Sequence, residues 1–471
     1  MQKENKTDQE NRRAAKSDLL GNGIVDRLSA RWRKALFAAL FILVTAEFLL
    51  RGPVRVVIRA ADYNDYTSSY IGAKAWVQGS NPYSSTEFWK LWEQSASHHE
   101  AAEEQSIGSR TPYPITCFLI LAPLSLSSAP TASILLGLIS SGLIVLSVWL
   151  LSRLPEFTTD ARRWFFIVFA LAMAPLHSGL GQINISMLAI ACTFMSFWAV
   201  SRGRPATSGV FCAFALGLKP PIGGSFAVYY LISREWKALR GTVVTAGLLA
   251  IVAIGRLQLA GVPWLSSYLA NSKLVLTDPV NAITAANPKR FQMINLQVLW
   301  YAITKNERLA NELAFVAALV LLIVLVAGLM RRDSGVPRSL QVAALAVVSL
   351  IPIYHRFYDA SLLIFALFWI LSSSLEDGKL HHRLALFLML PFLIPGAWAL
   401  ESLQNENRVS HFLTNHWWWE PVVLGHQIWA VFLLAVVLTA AIWKRSGGSR
   451  VSLRVQRSGA NIPPKTCACG L

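Results

Sequence analysis

The chain has 471 residues, of which 54% are hydrophobic and only 15% charged. Soluble domains carry about 25% charged residues, so an ordinary soluble globular protein is excluded. The formal charge of +17 raises nucleic acid as a partner. Lys and Arg clustered in short cytoplasmic loops account for it without one.

The apolar residues fall in long blocks, among them 35–50, 135–151, 313–330 and 384–400. Roughly 20 apolar residues cross a bilayer core. The pattern predicts an all-α polytopic membrane protein with about 10–12 membrane-crossing or membrane-dipping helices. The first apolar run follows a long polar segment, so it reads as a retained helix and not a cleaved signal. Cys117, Cys192 and Cys212 lie in apolar runs, and Cys467 and Cys469 in a polar tail. They form neither a disulfide framework nor a metal site, and no cofactor is expected.

Taken in chain order, cationic segments set the topology. Arg27, Arg31, Arg33 and Lys34 make 1–33 a cytoplasmic basic tail. The first helix, 35–50, exits to a long outer loop, 51–113. Within it, 66–78 reads as an interfacial helix ended by the turn chemistry of Gly79-Ser80-Asn81-Pro82-Tyr83. Residues 114–130 are too few to cross at about 1.5 Å each and read as a half-entering segment, with the full crossing at 131–153. Helices at 164–180 and 185–200 then leave the turn Gly181-Gln182-Ile183-Asn184 outside.

Residues 208–232 run from one basic segment (Arg202, Arg204) to another (Arg234 to Arg240). Both ends are therefore cytoplasmic, and the segment must fold back at Lys219-Pro220-Pro221, since proline breaks a helix interior. Broken helices at membrane depth survive only when buried in protein or lining a cavity. The remaining crossings are 241–256, 313–330, 341–353, 358–374, 384–400 and 426–443. Between them lie outer loops 257–312 and 401–425, the latter carrying Trp417-Trp418-Trp419. The domain 34–445 thus holds ten crossings and one folded-back pair, and 446–471 is a cytoplasmic, polar, disordered tail.

Asp62, Asp65, Gln182, Asn184, Arg290, Asn295, His355, Arg356 and Asp359 all fall at the outer face. Flanking charges explain the inner face but not this collection, and ionisable groups at membrane depth are costly. Tyr354-His355-Arg356-Phe357-Tyr358-Asp359 is either a polar helix-hairpin turn or a cationic pocket for an anion, with Asp359 orienting a neighbour. Asp65 fits a helix N-cap and equally a catalytic carboxylate. Lys219, at a break between two half-helices, either snorkels to headgroups or needs an anion or carboxylate partner. The tryptophan run fits an interfacial belt or sugar stacking.

These segments together resemble glycosyltransferase family 87, the polyprenyl-phosphate-mannose-dependent alpha-mannosyltransferase-like proteins of the glycosyltransferase C superfamily. The resemblance rests on Asp65-Tyr66 with Tyr70, Gly79 and Asn81-Pro82-Tyr83; on Tyr113-Pro114 with Ala122-Pro123-Leu124; on Gly181-Gln182-Ile183-Asn184; on Gly217-Leu218-Lys219-Pro220; and on the His355 turn. It implies a glycosyltransferase C-like bundle in a bacterial inner membrane, both termini cytoplasmic, and a catalytic aspartate in the first outer loop. By its spacing to Gly79, Asp65 matches better than Asp62. The chain departs from the pattern in having that second aspartate and in a polar, acidic insert at 93–109.

The implied reaction moves a hexose, mannose in the family, from a polyprenyl phosphate to a hydroxyl on a glycan, glycolipid or other acceptor, with inversion. Asp65 would be the base. His355, Arg356, Lys219 and Arg290 would hold the phosphate, supported by Asp62, Gln182, Asn184, Tyr358 and Asp359, with no metal. The competing reading is a polytopic transporter or lipid flippase, which also breaks helices at midplane.

Overall fold

The computed structural model describes residues 30–62, 64–95, 111–331, 335–352, 354–373 and 379–459. The tail 1–29, most of the acidic insert and Cys467 and Cys469 lie outside them. Among the described residues every extended element is helical, and the only pairing of β type is the isolated bridge between Met293 and Arg356.

Two kinds of helix build the bundle. Long ones form the periphery: 35–58, Ala129–Ser152, Trp236–Leu259, Glu307–Leu329 and 426–445 are long and apolar enough to cross a membrane. On Trp236–Leu259 the exposed positions include Val243, Val244, Leu248 and Ile251, and on Glu307–Leu329 they include Phe315, Val316, Val320 and Ile323. An apolar helix whose leucines and valines face outward is a membrane span, so this is a multi-pass membrane protein.

Shorter apolar helices fill the interior. Ser186–Ser201, Arg338–Ser349 and Ile364–Ser372 are buried over most of their surface. The Phe194, Phe197 and Phe365 rings pack edge-on against one another there.

Two further spans are bent pairs. Asp160–Leu171 and Ala174–Gly181 meet at 46°, and 380–393 and Gly396–Asn405 at 41°. Pro175 and Pro395 sit at the breaks, where a missing N–H and the ring's bulk prevent a continuous helix. Among the described residues, five spans, seven with the bent pairs, are thus long enough to cross. The sequence count of 10–12 is reached only by adding the short interior helices. Hydropathy does not tell an apolar face against lipid from one against protein.

The predicted fold-back is present. Pro205–Leu218 and Pro220–Ile232 flank Lys219. Ser208, near one end, and Tyr230, near the other, are hydrogen-bonded at 2.5 Å, and Ser196 joins both. A straight helix would separate them by about 33 Å. A Cβ on Gly223 would lie 2.2 Å from the Leu216 backbone, so only glycine lets the two arms approach this closely. The hairpin carries Lys219 at its tip.

The first helix runs beyond its predicted end. Ala30–Leu49 continues through a π-helical turn, Leu50–Val54, into Arg55–Ile58. The π turn absorbs Pro53 without ending the helix, so Arg51 and Arg55 belong to the span and not to the loop. The last helix, His426–Gly459, likewise enters the segment read as a disordered tail.

Candidate active site

The described parts of three long connections, within 59–114, 260–306 and 406–425, meet at one end of the bundle, where Asn271 bonds Thr111 O and Arg290 bonds Glu420. At the opposite end lie basic residues such as Arg338, which pairs with Glu235 at 2.5 Å. The site is at the loop end.

Thr67–Gln78 is the first element that shapes it. Gly79, at φ 73°, closes the helix in the left-handed conformation, which a Cβ disfavours. At the other end Tyr66 holds the N-cap position without a side-chain cap bond, and Asn64 closes the turn before it. The Asn64 Oδ1 accepts from Tyr66 N–H at 3.0 Å, and Thr67 Oγ1 accepts from Asn64 N–H at 3.0 Å. The Asp65 side chain makes no cap bond. Its Oδ2 accepts from Asn184 Nδ2 at 2.8 Å across 119 residues of chain.

Asn184 is itself held. Its Oδ1 accepts from Ser186 N–H at 2.8 Å, and its own N–H reaches Gly179 O at 3.0 Å. The turn requires Ile183, buried, at φ 54°, a rare conformation for a β-branched residue. Strain of this kind persists where surrounding structure imposes it, often at functional sites. A side chain on Gly181 would strike the Arg51 carbonyl at 2.7 Å, so glycine seats this turn against the first helix. Gln182 is half-buried beside it.

Lys219 lies on the hairpin tip. Its ammonium donates to both oxygens of Asp359 and to Ser186 Oγ, each at 2.8 Å. An ammonium has three N–H donors, and these partners occupy all of them. Asp359 is fully buried and also accepts from His355 Nδ1 at 2.9 Å and Arg356 N–H at 3.3 Å. A buried ion pair tolerates its desolvation only with such full satisfaction. The far nitrogen of His355, Nε2, is buried and unpartnered.

The 290–295 strap braces this turn from outside. Ile294 N–H donates to the His355 carbonyl at 3.0 Å, and Met293 bridges Arg356. Arg356 donates through Nε to Tyr354 Oη and through Nη2 to Asn281 Oδ1 at 3.4 Å. Asp65 acts electrostatically on Tyr113, Tyr354, Arg356 and Tyr358. Burial pushes the Tyr113 phenol well above its ordinary pKa, and the Asp65 charge adds to the shift.

Of the residues singled out in the sequence, the structure gathers Asp65, Asn184, Lys219, His355, Arg356, Tyr358 and Asp359. It places two elsewhere. Arg290 donates to Glu420 at 2.5 Å, and Lys305 pairs with the same carboxylate; its guanidinium is committed to the third connection and not to the cluster. Asp62 is exposed and pairs with Arg59 at 3.3 Å. Lys219 is present but has no N–H left for an added anion. Sequence reasoning missed Asn64, Tyr113, Ser186 and Asn281. Tyr113-Pro114 stood among the motifs, yet nothing in the sequence aimed its ring at Asp65. No group of three or more metal-binding side chains occurs among the described residues.

Fold and site define a multi-pass membrane protein with a carboxylate, a buried imidazole and an arginine gathered at the loop end. Residues 111–354 match glycosyltransferase family 87, which is more than half of the chain. The protein belongs to that family and is a glycosyltransferase. No curated protein and no solved structure matches it. The match spans Asn184 and Lys219 and lies between Asp65 and His355.

Proposed function

We propose that the protein transfers a hexose, mannose by family resemblance, from a polyprenyl phosphate to an acceptor hydroxyl, inverting the anomeric carbon. The reaction takes place at the outer face of a bacterial plasma membrane. The observation that carries this reading is Asp65. It makes no helix-cap bond and is anchored through one oxygen to Asn184, and the buried His355 imidazole of the same outer-face group keeps an Nε2 with no protein partner.

The second Asp65 oxygen takes the acceptor proton as the acceptor oxygen bonds to C1. The C1–O bond to phosphate breaks, and its electron pair leaves on the phosphate. General-base assistance is worth about a hundred- to ten-thousandfold. The Arg356 guanidinium and His355, as an imidazolium donating through Nδ1 to Asp359 and through Nε2 to the phosphate, stabilise its growing charge, as preorganised donors do. Lys219 acts one step back: it holds Asp359, and Asp359 orients His355.

Orientation follows from charge: the basic end faces the cytoplasm, with both termini. A lipid-linked donor suits a compartment without nucleotide sugars and a site at membrane depth.

The test uses purified protein in liposomes carrying labelled polyprenyl-phosphate-mannose. Release of free polyprenyl phosphate, with label passing to an acceptor, is the expected result. Movement of intact donor between leaflets without cleavage would instead establish a flippase.

A further inference from the structure

The first helix carries a charged stripe that the mechanism above does not use. Glu47, Arg51, Arg55 and Arg59 recur at every fourth position, so they follow one another along one side of the helix. The span reaches Ile58, which leaves Arg55 about 5 Å short of its loop end at 1.5 Å per residue. A charge at such depth is costly and calls for a partner. Arg51 pairs with Glu47 at 3.2 Å and Arg59 with Asp62 at 3.3 Å. Arg55 stands between them, and Arg51 and Arg59 both repel it. Among the described residues its guanidinium makes no ion pair and no hydrogen bond. Three arginines thus share two acids, and the middle one is unmatched.

A long arginine can escape such a position by snorkelling to water. Arg55 is instead seated on the protein. A Cβ on Gly181 would lie 2.9 Å from Arg55 Cδ and 3.3 Å from its Nε, so the side chain rests against the bare backbone at the start of the Gly181–Asn184 turn. The residue is nevertheless exposed. Leu50, Val54 and Ile58 make the next stripe around the helix, and all three are exposed at 62%, 41% and 74%. An apolar stripe open to lipid therefore runs beside an open guanidinium. A planar guanidinium holds phosphate oxygens bidentately. The ammonium of a zwitterionic headgroup would meet Arg51 and Arg59, so the stripe favours a headgroup with net negative charge.

We infer that Arg55, flanked by Arg51 and Arg59, binds the phosphate of an anionic phospholipid. The acyl chain lies along Leu50, Val54 and Ile58. The site involves neither sugar donor nor acceptor and stands independently of the glycosyltransfer reading.

The test uses the full-length protein in detergent and measures binding of a fluorescent short-chain phosphatidylglycerol, with the same label on phosphatidylcholine as reference. Arg55→Gln is compared with Arg308→Gln. Arg308 also stands at one end of a span, in the first turn of Glu307–Leu329, but has its own acid in Glu312 at 2.8 Å. Arg55→Gln should raise the phosphatidylglycerol dissociation constant at least about tenfold, the loss of a hydrogen bond to a charged group. Arg308→Gln should leave it nearly unchanged. Asp62→Asn, at an exposed position, frees Arg59 and should tighten binding; it decides if Arg55→Gln does not fold. Wild-type affinity in Arg55→Gln, equal weakening by Arg308→Gln, or phosphatidylcholine bound as tightly as phosphatidylglycerol overturns the site. Unchanged affinity in Asp62→Asn does so as well. Inorganic phosphate displacing the probe as effectively as unlabelled phosphatidylglycerol would mean a site for free phosphate and would equally overturn the lipid site.

Discussion

Two charged clusters stand at the loop end of this protein, and they differ in what their carboxylates hold. Around Asp359, Lys219 and one nitrogen of His355 are consumed, while the other imidazole nitrogen and one oxygen of Asp65 stay unbonded to protein. Around Glu420, Arg290 and Lys305 close on one carboxylate, and the neighbouring Glu401 takes Phe291 N–H at 3.3 Å. The first cluster orients His355. The second fastens the third connection to the strap that braces His355. Both gather outer-face cations with acids, so residue type alone does not separate site from clasp. Buried polar atoms without a protein partner occur in both, His355 Nε2 in the first and Arg290 Nε and Glu401 Oε2 in the second; the distinction lies in what each carboxylate holds, a lysine and a histidine for Asp359 and two cations of the connections for Glu420.

The largest way to break this comparison is Asp359→Ala. It strands the Lys219 ammonium in a buried setting, and losing one partner of such a pair costs about 3–5 kcal/mol. Thermal unfolding in detergent should shift down strongly and transfer should vanish. A Lys219→Met, Asp359→Leu double variant should regain much of the stability but not the activity, because His355 stays unoriented. Recovery of transfer in that variant would make Asp359 merely structural.

His355→Gln comes next. Losing a hydrogen bond to a charged phosphate is worth about 1.5–3 kcal/mol, so donor KM should rise by tenfold or more while stability changes little. An unaltered donor KM would remove His355 from the phosphate.

Glu420→Gln should act more weakly. The clasp is partly exposed, and the expected loss is about 1 kcal/mol, read as a several-fold fall in turnover with the donor KM nearly intact. A loss as large as that of Asp359→Ala would erase the contrast between the clusters. Smallest of all is Trp417→Ala. Trp417 is 84% exposed, and such surface changes usually stay within about 0.5 kcal/mol. Unchanged transfer kinetics would assign it to the membrane interface, and a raised acceptor KM to sugar stacking.

Much of this was legible in the sequence where local rules govern. Charge on both sides of 208–232 demanded the Lys219 fold-back, and Ser208 meets Tyr230 as that requires. The Gly79 turn ended the Thr67–Gln78 helix where glycine allows φ above zero. Pairing was not legible. Lys219 and Asp359 are 140 residues apart, and Arg290 and Glu420 are 130; nothing local says which acid meets which cation. The need of Lys219 for an anion or a carboxylate was legible, but not that Asp359 is that carboxylate, nor that Arg290 meets Glu420. The left-handed Ile183 was equally hidden, since its conformation is imposed by the turn that aims Asn184 and contradicts its own preference. The first helix passed Pro53 because a π turn can do what an α-helix cannot.

The central claim is that Asp65 is the base, and Asp65→Asn tests it most directly. The amide oxygen can still accept from Asn184, so the fold is kept. The measurement is release of polyprenyl phosphate from labelled donor in liposomes, alongside thermal unfolding. The account predicts a fall of about a hundred- to ten-thousandfold at unchanged stability. Wild-type release from a folded Asp65→Asn protein would contradict it.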